Sequence, residues 1–426
     1  MDEVERLREL YVDVWNGADP AGPPSGRIYD SGEHDRNEAE LRTFVGVLSA
    51  EAREVRRAGA NGGNGESERR VMPAFARFAV NALDWKRDWL EGDVSAGFQR
   101  ALREFPVEAR RFDPCLSSAE IYQAARNALT MHCLQALLGV RVEFTPAVLG
   151  YSLLYPYTDN LLDDPDLDAA HKLGFGQRLG RRLRGLPVEP AGECESRIFA
   201  LLAMIESQFP REQFAALHDS LLAIHDAQMK SLALLSVSAA SDPRTLVRIA
   251  VEKGGTSVLA DGYLVAGTLT PAQAECIFGL GVFLQLRDDI EDVEDDAAHG
   301  VRTVFSSRTQ GQLDEPATRA LAVGGAVLDR LSCFNGSSSA PIRDVVAQSL
   351  RLTITDAAAS FPALFGRPFL QALERRSPFR LRSITAARGR VSKAKGTLTA
   401  LLERWLEEEA RAQAGVRATP QRQSVS

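Results

Sequence analysis

Cys276-Ile277-Phe278-Gly279-Leu280-Gly281-Val282-Phe283-Leu284-Gln285-Leu286 is apolar for about three helical turns, with Gln285 its only polar side chain. It then gives way to Arg287-Asp288-Asp289-Ile290-Glu291-Asp292-Val293-Glu294-Asp295-Asp296. A helix that is apolar on every side is buried, so the acids that continue it are carried into protein. The same design occurs earlier, where Ala147-Val148-Leu149-Gly150-Tyr151-Ser152-Leu153-Leu154-Tyr155-Pro156-Tyr157-Thr158 leads into Asp159-Asn160-Leu161-Leu162-Asp163-Asp164. Within each cluster, Asp159/Asp163 and Asp288/Asp292 stand four apart, on one helical face, and Asp296 adds a further turn.

Like charges so placed repel and call for a counter-ion. Hard oxygen ligands suit Mg²⁺, which keeps several waters and bridges carboxylates to substrate phosphates. The expected metal ligands are Asp159, Asp163, Asp288, Asp289, Asp292 and Asp296. If a bundle folds the chain so that the clusters face each other on neighbouring antiparallel helices, the apolar turns before them line a cavity beneath the metal. Tyr151, Leu154 and Tyr155 then form one wall and Gly281 and Leu284 another. An apolar pocket capped by Mg²⁺ fits a diphosphate head on a hydrocarbon tail, a prenyl diphosphate.

Bulk properties narrow the classes. The 426 residues carry a formal charge of −7, and no basic run is interleaved with aromatics, so nucleic acid is not an expected partner. No apolar stretch approaches the roughly 20 residues of a membrane span, and the N-terminus lacks a basic region followed by an apolar one. The expectation is a cytoplasmic protein without stable membrane insertion, with a homodimer open as its oligomeric state. Cys115, Cys133, Cys194, Cys276 and Cys333 are odd in number and widely spaced. They read as reduced core residues, not as a disulfide framework.

Helical periodicity dominates and no alternating strand pattern is seen, so the fold is expected to be all-α, a single large antiparallel helical bundle. Residues 1–70 read as an N-terminal helical appendage ending in the Gly-rich linker Gly59 to Gly65, 71–413 as the bundle, and 414–426 as a disordered tail. Helices are expected near 71–90, 117–139, 145–163, 167–184, 193–207, 210–238, 242–268, 271–297, 314–332, 340–360 and 388–413. Pro156 is expected to bend its helix, and Gly254-Gly255 to mark a break or a close packing contact.

With these residues in view, the chain resembles the class I isoprenoid synthase superfamily: chain-elongating prenyl synthases, squalene/phytoene synthases and class I terpene cyclases. Asp288-Asp289-Ile290-Glu291-Asp292 is similar to the second aspartate-rich motif of the elongating enzymes. Asp159-Asn160-Leu161-Leu162-Asp163 resembles a looser first motif. Ala227-Gln228 and Lys253-Gly254-Gly255-Thr256 resemble the Gly-Gln and Lys-Thr signposts in order and rough spacing, and Tyr263-Leu264-Val265-Ala266-Gly267 looks like a piece of squalene synthase. The resemblance spans about Ser117 to Phe305. It implies an enzyme in which a cluster of about three Mg²⁺ ions activates a diphosphate, Lys253 and Arg248 grip the leaving group, and Gln228 borders the substrate. No Gly-Gly-Lys-x-x-Arg element for a second diphosphate is present, which favours terpene-synthase-like ionisation. Coupling of two prenyl diphosphates, head-to-head or chain-elongating, is the alternative, and a non-catalytic helical scaffold the third reading.

Other motifs are weaker. Asp164, Asp166 and Asp168 lack the Gly and Glu of a calcium loop and read as caps for the following helix. His218-Asp219 and His225-Asp226 suggest a His-Asp phosphohydrolase but lack its further ligands. Glu291, Glu294 and Asp295 read as a solvated face.

Overall fold

The computed structural model describes residues 3–20, 26–58, 64–163, 167–235, 242–306, 311–336, 339–392, 402–403 and 405–406. Among these the chain is all-helical, without strands. The helices are α1 (Glu3–Gly17), α2 (Ser31–Ala58), α3 (Asn64–Ala82), α4 (Arg87–Glu91), α5 (Asp93–Phe112), α6 (Ser118–Leu137), α7 (Pro146–Asp163), α8 (Ala169–Leu183) and α9 (Glu193–Gln208). There follow α10 (Ala215–Leu235), α11 (Pro243–Ala266), α12 (Pro271–Glu291), α13 (Val293–Ala298), α14 (Asp314–Arg330), α15 (Ser339–Ser360), α16 (Arg367–Glu374) and α17 (381–392).

Local chemistry sets the boundaries. Ser117 and Glu120 form a reciprocal capping box on α6, and Thr270 and Gln273 form another on α12, where Pro271 occupies the first turn. Asp168 caps α8 by accepting from the His171 amide at 2.9 Å; residues 164–166 lie outside the described set. Gly267, at φ 75°, ends α11 and starts the tight turn into α12.

One end of the bundle fixes the direction of the central helices. The Ala147 amide donates to Gln208 Oε1 at 2.9 Å, joining the start of α7 to the end of α9. Phe209 and Phe214 pack against Gly267, which brings the start of α10 and the end of α11 to the same place. The turn at Gly267 adds the start of α12. So α7 and α12 run parallel, and α11, which packs on both, is antiparallel to each. Both acid-bearing helices therefore deliver their C-terminal turns to the opposite end of the molecule. The clusters were expected on neighbouring antiparallel helices; the helices are instead parallel.

α11 and α12 cross closely because each offers glycine. A β-carbon on Gly281 would stand 2.2 Å from the Gly254 carbonyl oxygen, and one on Gly255 would stand 2.3 Å from the Phe278 ring. Gly254-Gly255 is thus a packing contact within a continuous helix, not a break.

Several expectations are corrected. The segment 71–90 is two helices, parted where Asp84 takes φ 54°. α5 and α16 were not expected, although α5 buries Phe98, Ala101, Phe105 and Ala109 at helical spacing. The helix at 271–297 breaks at Asp292, and α17 begins ahead of residue 388. The largest revision concerns the appendage. α1 buries Leu7, Tyr11, Val12 and Trp15 in the main core, while α2 and α3 pack on each other over a smaller core of Phe78, Ala82, Ala359, Phe379 and Ile384. Residues 59–63 and 414–426 lie outside the described set.

Candidate functional site

Six helices enclose an apolar cavity. α7 contributes Tyr151, Leu154, Thr158 and Leu162; α8 contributes Phe175, Gly176, Leu179 and Leu183; α9 contributes Leu202. α10 supplies Leu221, Ile224, His225, Gln228 and Met229, α11 supplies Lys253 and Ser257, and α12 supplies Gln285. The α7 residues recur at three- and four-residue spacing, one stripe of one helix. α8 approaches α10 through Gly176 and Gly180, which receive Met229 and His225.

The lining is graded. Because α10 and α11 are antiparallel, joined by Lys230 Nζ to Glu252 Oε1 at 2.5 Å, Gln228 and Lys253 share a level. Leu221 lies two turns below Gln228 along α10. One turn beyond Lys253 along α11, Tyr151 donates its hydroxyl to the Ser257 carbonyl at 3.2 Å. The polar level is the one nearer the acid-bearing ends of α7 and α12. The cavity holds about 110 Å³, below the roughly 300–1,000 Å³ of typical ligand pockets. A long tail therefore requires the wall to adjust, and Met229, unbranched and lying over Gly176, is its most adaptable part.

The second acid cluster abuts this polar level. Gln285 Nε2 donates to Asp289 Oδ1 at 2.8 Å. Burial pushes the Asp289 carboxyl up to about 7, opposed by the Gln285 hydrogen bond and by the charge of Lys253. Asp296 is pushed up to about 6, by burial first and then by Asp292, again with Lys253 opposing. Asp288 is raised by burial against the pull of Arg287 and Arg126, and Asp292 by burial and then by Asp288. Asp288, Asp292 and Asp296 thus remain neighbours across the break, since the amides of Asp292 and Asp296 still bond the carbonyls four residues back, at 2.8 and 2.7 Å. Arg287 meets Asp288 at 2.9 Å and Glu291 at 2.6 Å, and Arg388 also pairs with Glu291.

The donor set is all hard oxygen, and its carboxyls are raised first by burial and, at Asp292 and Asp296, by one another, a cost that a hard divalent cation would offset. Among the described residues no three His, Cys, Asp or Glu side chains converge on one point. Asp159 and Asp163 stand in the final turns of α7; their side chains, and that of Tyr155, lie outside the described set.

Of the remaining expected residues, Tyr151, Leu154, Gln228 and Lys253 meet at the one cavity. Three do not join them. Arg248, five residues before Lys253, is rotated about 140° around the helix and is held by Glu9 of α1 at 2.5 and 2.9 Å. Gly281 is consumed by the α11–α12 crossing. Leu284 is turned about 100° from Gln285 and lines a second, larger groove of about 840 Å³, together with Arg287, Phe44, Phe78 and Leu352. The α8 wall was missed, although Phe175, Leu179 and Leu183 carry a readable helical spacing; nothing in sequence shows which buried stripe borders a void. His218 is a buried core residue, its Nε2 2.8 Å from the Phe209 carbonyl.

No helix among the described residues is long and apolar enough to cross a membrane. Comparison with protein-family models, with curated proteins and with solved structures finds no match to this chain.

Proposed function

We propose that this chain is a Mg²⁺-dependent enzyme that ionises an allylic prenyl diphosphate and releases diphosphate, in the manner of the class I terpene synthases that its sequence resembles. One observation carries the reading. An apolar cavity has its lysine-bearing level toward the end of the bundle at which α7 and α12 both present their acid-rich turns. A prenyl diphosphate has the matching polarity, an anionic head and a hydrocarbon tail.

In this reading Asp159, Asp163, Asp288, Asp289, Asp292 and Asp296 hold the metal, which when bound withdraws charge from the departing diphosphate. Lys253 adds a fixed positive charge where the leaving group develops its own. Gln285 orients Asp289. The leucine-rich walls and Tyr151 exclude water from the cation left behind. Arg248, engaged by Glu9, has no part in it.

Coupling of two prenyl diphosphates is a second reading, and the groove on the other flank of α12 favours it. It offers a further apolar surface next to Asp288, lined by Leu284 and Arg287.

The test is incubation of the full chain with C10, C15 and C20 prenyl diphosphates and Mg²⁺, each alone and with isopentenyl diphosphate, with released diphosphate and hydrocarbon products measured. Release from a single allylic substrate supports the first reading. Products that require isopentenyl diphosphate, or that carry a doubled skeleton, support the second. No release from any substrate would remove both. Lys253→Met is expected to lower kcat about a hundredfold with a smaller change in KM, because the charge it meets is greatest in the transition state.

A further inference from the structure

We propose that Cys276 and Cys333 form a redox-active dithiol, Cys333 reacting first and Cys276 resolving it. The two sulfurs are brought together by tertiary structure. Cys276 sits in the second turn of α12, and Cys333 ends the short 3₁₀ turn Leu331–Cys333 that follows α14 and packs directly on α12. Both thiols are free and interact with one another.

Their surroundings differ in the way such a division of labour requires. Cys276 is 2 % exposed, its Sγ placed 3.7 Å from the Val327 carbonyl. Contact with Cys333, and then burial, hold its thiol well above the ordinary range. Cys333 is only half-buried. The Cys276 thiol, and at longer range Arg343, favour its thiolate and lower it below the ordinary range, against some burial. Of two neighbouring thiols, the partly exposed one is the one an oxidant reaches first, and the buried one is left to resolve it.

The other thiols lack this combination. Burial pushes Cys133 up to about 12, and burial also raises Cys194. Cys115 is exposed, and the contact at this residue is a backbone one, its amide donating to Asp113 Oδ1 at 2.9 Å.

The oxidant required is a peroxide. The Cys333 thiolate attacks one peroxide oxygen, the O–O bond breaks, and the departing hydroxide takes a proton to leave as water, giving a sulfenic acid. The Cys276 sulfur then attacks the Cys333 sulfur, the S–O bond breaks, and the Cys276 proton leaves with the hydroxyl as a second water. Two thiols are oxidised and one peroxide is reduced. The resulting bond would fix the N-terminal half of α12 to the connection between α14 and α15.

The experiment treats the full reduced chain with a small excess of hydrogen peroxide, removes the excess, and counts thiols after denaturation in guanidinium. The count is expected to fall from the five cysteines of the sequence by two, with a Cys276–Cys333 crosslinked peptide in the non-reduced digest. In Cys276→Ser the intermediate persists, and dimedone is expected to label Cys333. Five thiols remaining would overturn the proposal, as would losses that map to Cys115, Cys133 or Cys194. The thiol count on the unaltered protein decides the matter even if a variant fails to fold.

Discussion

The carboxyl of Asp261 is 0 % exposed toward the C-terminal end of α11. Asn127 donates to its Oδ1 at 3.2 Å, while Oδ2 has no hydrogen-bond partner among the described residues. Burial raises its pKa well above the ordinary carboxylate range, the Asn127 bond opposing. A carboxyl that holds its proton more tightly folded than unfolded stabilises the fold fully below the unfolded value. That contribution is lost as pH rises from there toward the folded value, at about 1.4 kcal/mol per pH unit. Asp261→Asn does not titrate, so its stability relative to the parent is expected to improve between pH 5 and pH 8. Urea unfolding at the two pH values measures this; a constant difference would mean that Asp261 is not protonated in the fold. Nothing at position 261 in the sequence signals this, because Asn127, whose amide also donates to Ser152, reaches it from a distant helix. Lys253 was legible, since it recurs with Gln228 in an ordered set of signposts, whereas the capture of Arg248 by Glu9 depends on a helix packed from the far N-terminus.

At the scale of elements, glycine separates close contact from mere tolerance. Gly281 meets the Gly254 backbone, whereas a β-carbon on Gly325 in α14 would find nothing within 4 Å. Gly281→Ala is expected to destabilise by about 1–3 kcal/mol or more, since backbone cannot move aside as a side chain can. Gly325→Ala is expected to stabilise by about 0.5–1 kcal/mol through lost unfolded-state entropy. Thermal melts of the two variants should shift in opposite directions, and a neutral Gly281→Ala would show that the crossing can open without cost. The sequence disclosed that Gly254-Gly255 was anomalous in a helix but not which partner required it, because the partners, Gly281 and Phe278, lie one helix away. α5 escaped because Gly97 and Pro106 interrupt it, yet its buried face continues through both: Gly97 packs on Val142, so tertiary contact offsets weak local propensity.

For the whole molecule, the position of α1 decides how the bundle is held together. Its charged sequence suggests a detachable helix, but the charges are spent on specific partners: Arg6 on Glu275 at 2.6 Å, Arg8 on Glu252 at 3.1 Å, Glu9 on Arg248 and Glu3 on the Tyr263 hydroxyl at 2.7 Å. Between them Tyr11 is 0 % exposed. Its ring stacks on Phe278 with centroids 6.0 Å apart, and its hydroxyl donates to the Glu275 carbonyl at 2.9 Å. The space it fills exists because position 279 is glycine; a β-carbon there would lie 1.9 Å from the Tyr11 oxygen. α12, which carries the second acid cluster, is thus clasped near its start by α1. Tyr11→Ala is expected to cost about 3–5 kcal/mol, the range for emptying a buried aromatic site. Tyr11→Phe, which keeps the ring and leaves one carbonyl without its donor, should cost about 1 kcal/mol. Urea unfolding measures both, and the ratio separates packing from hydrogen bonding. Removal of residues 1–17 should destabilise at least as much as Tyr11→Ala, since it also strips Leu7 and Trp15 from the core; an unchanged midpoint for that truncation would restore the appendage reading drawn from the sequence.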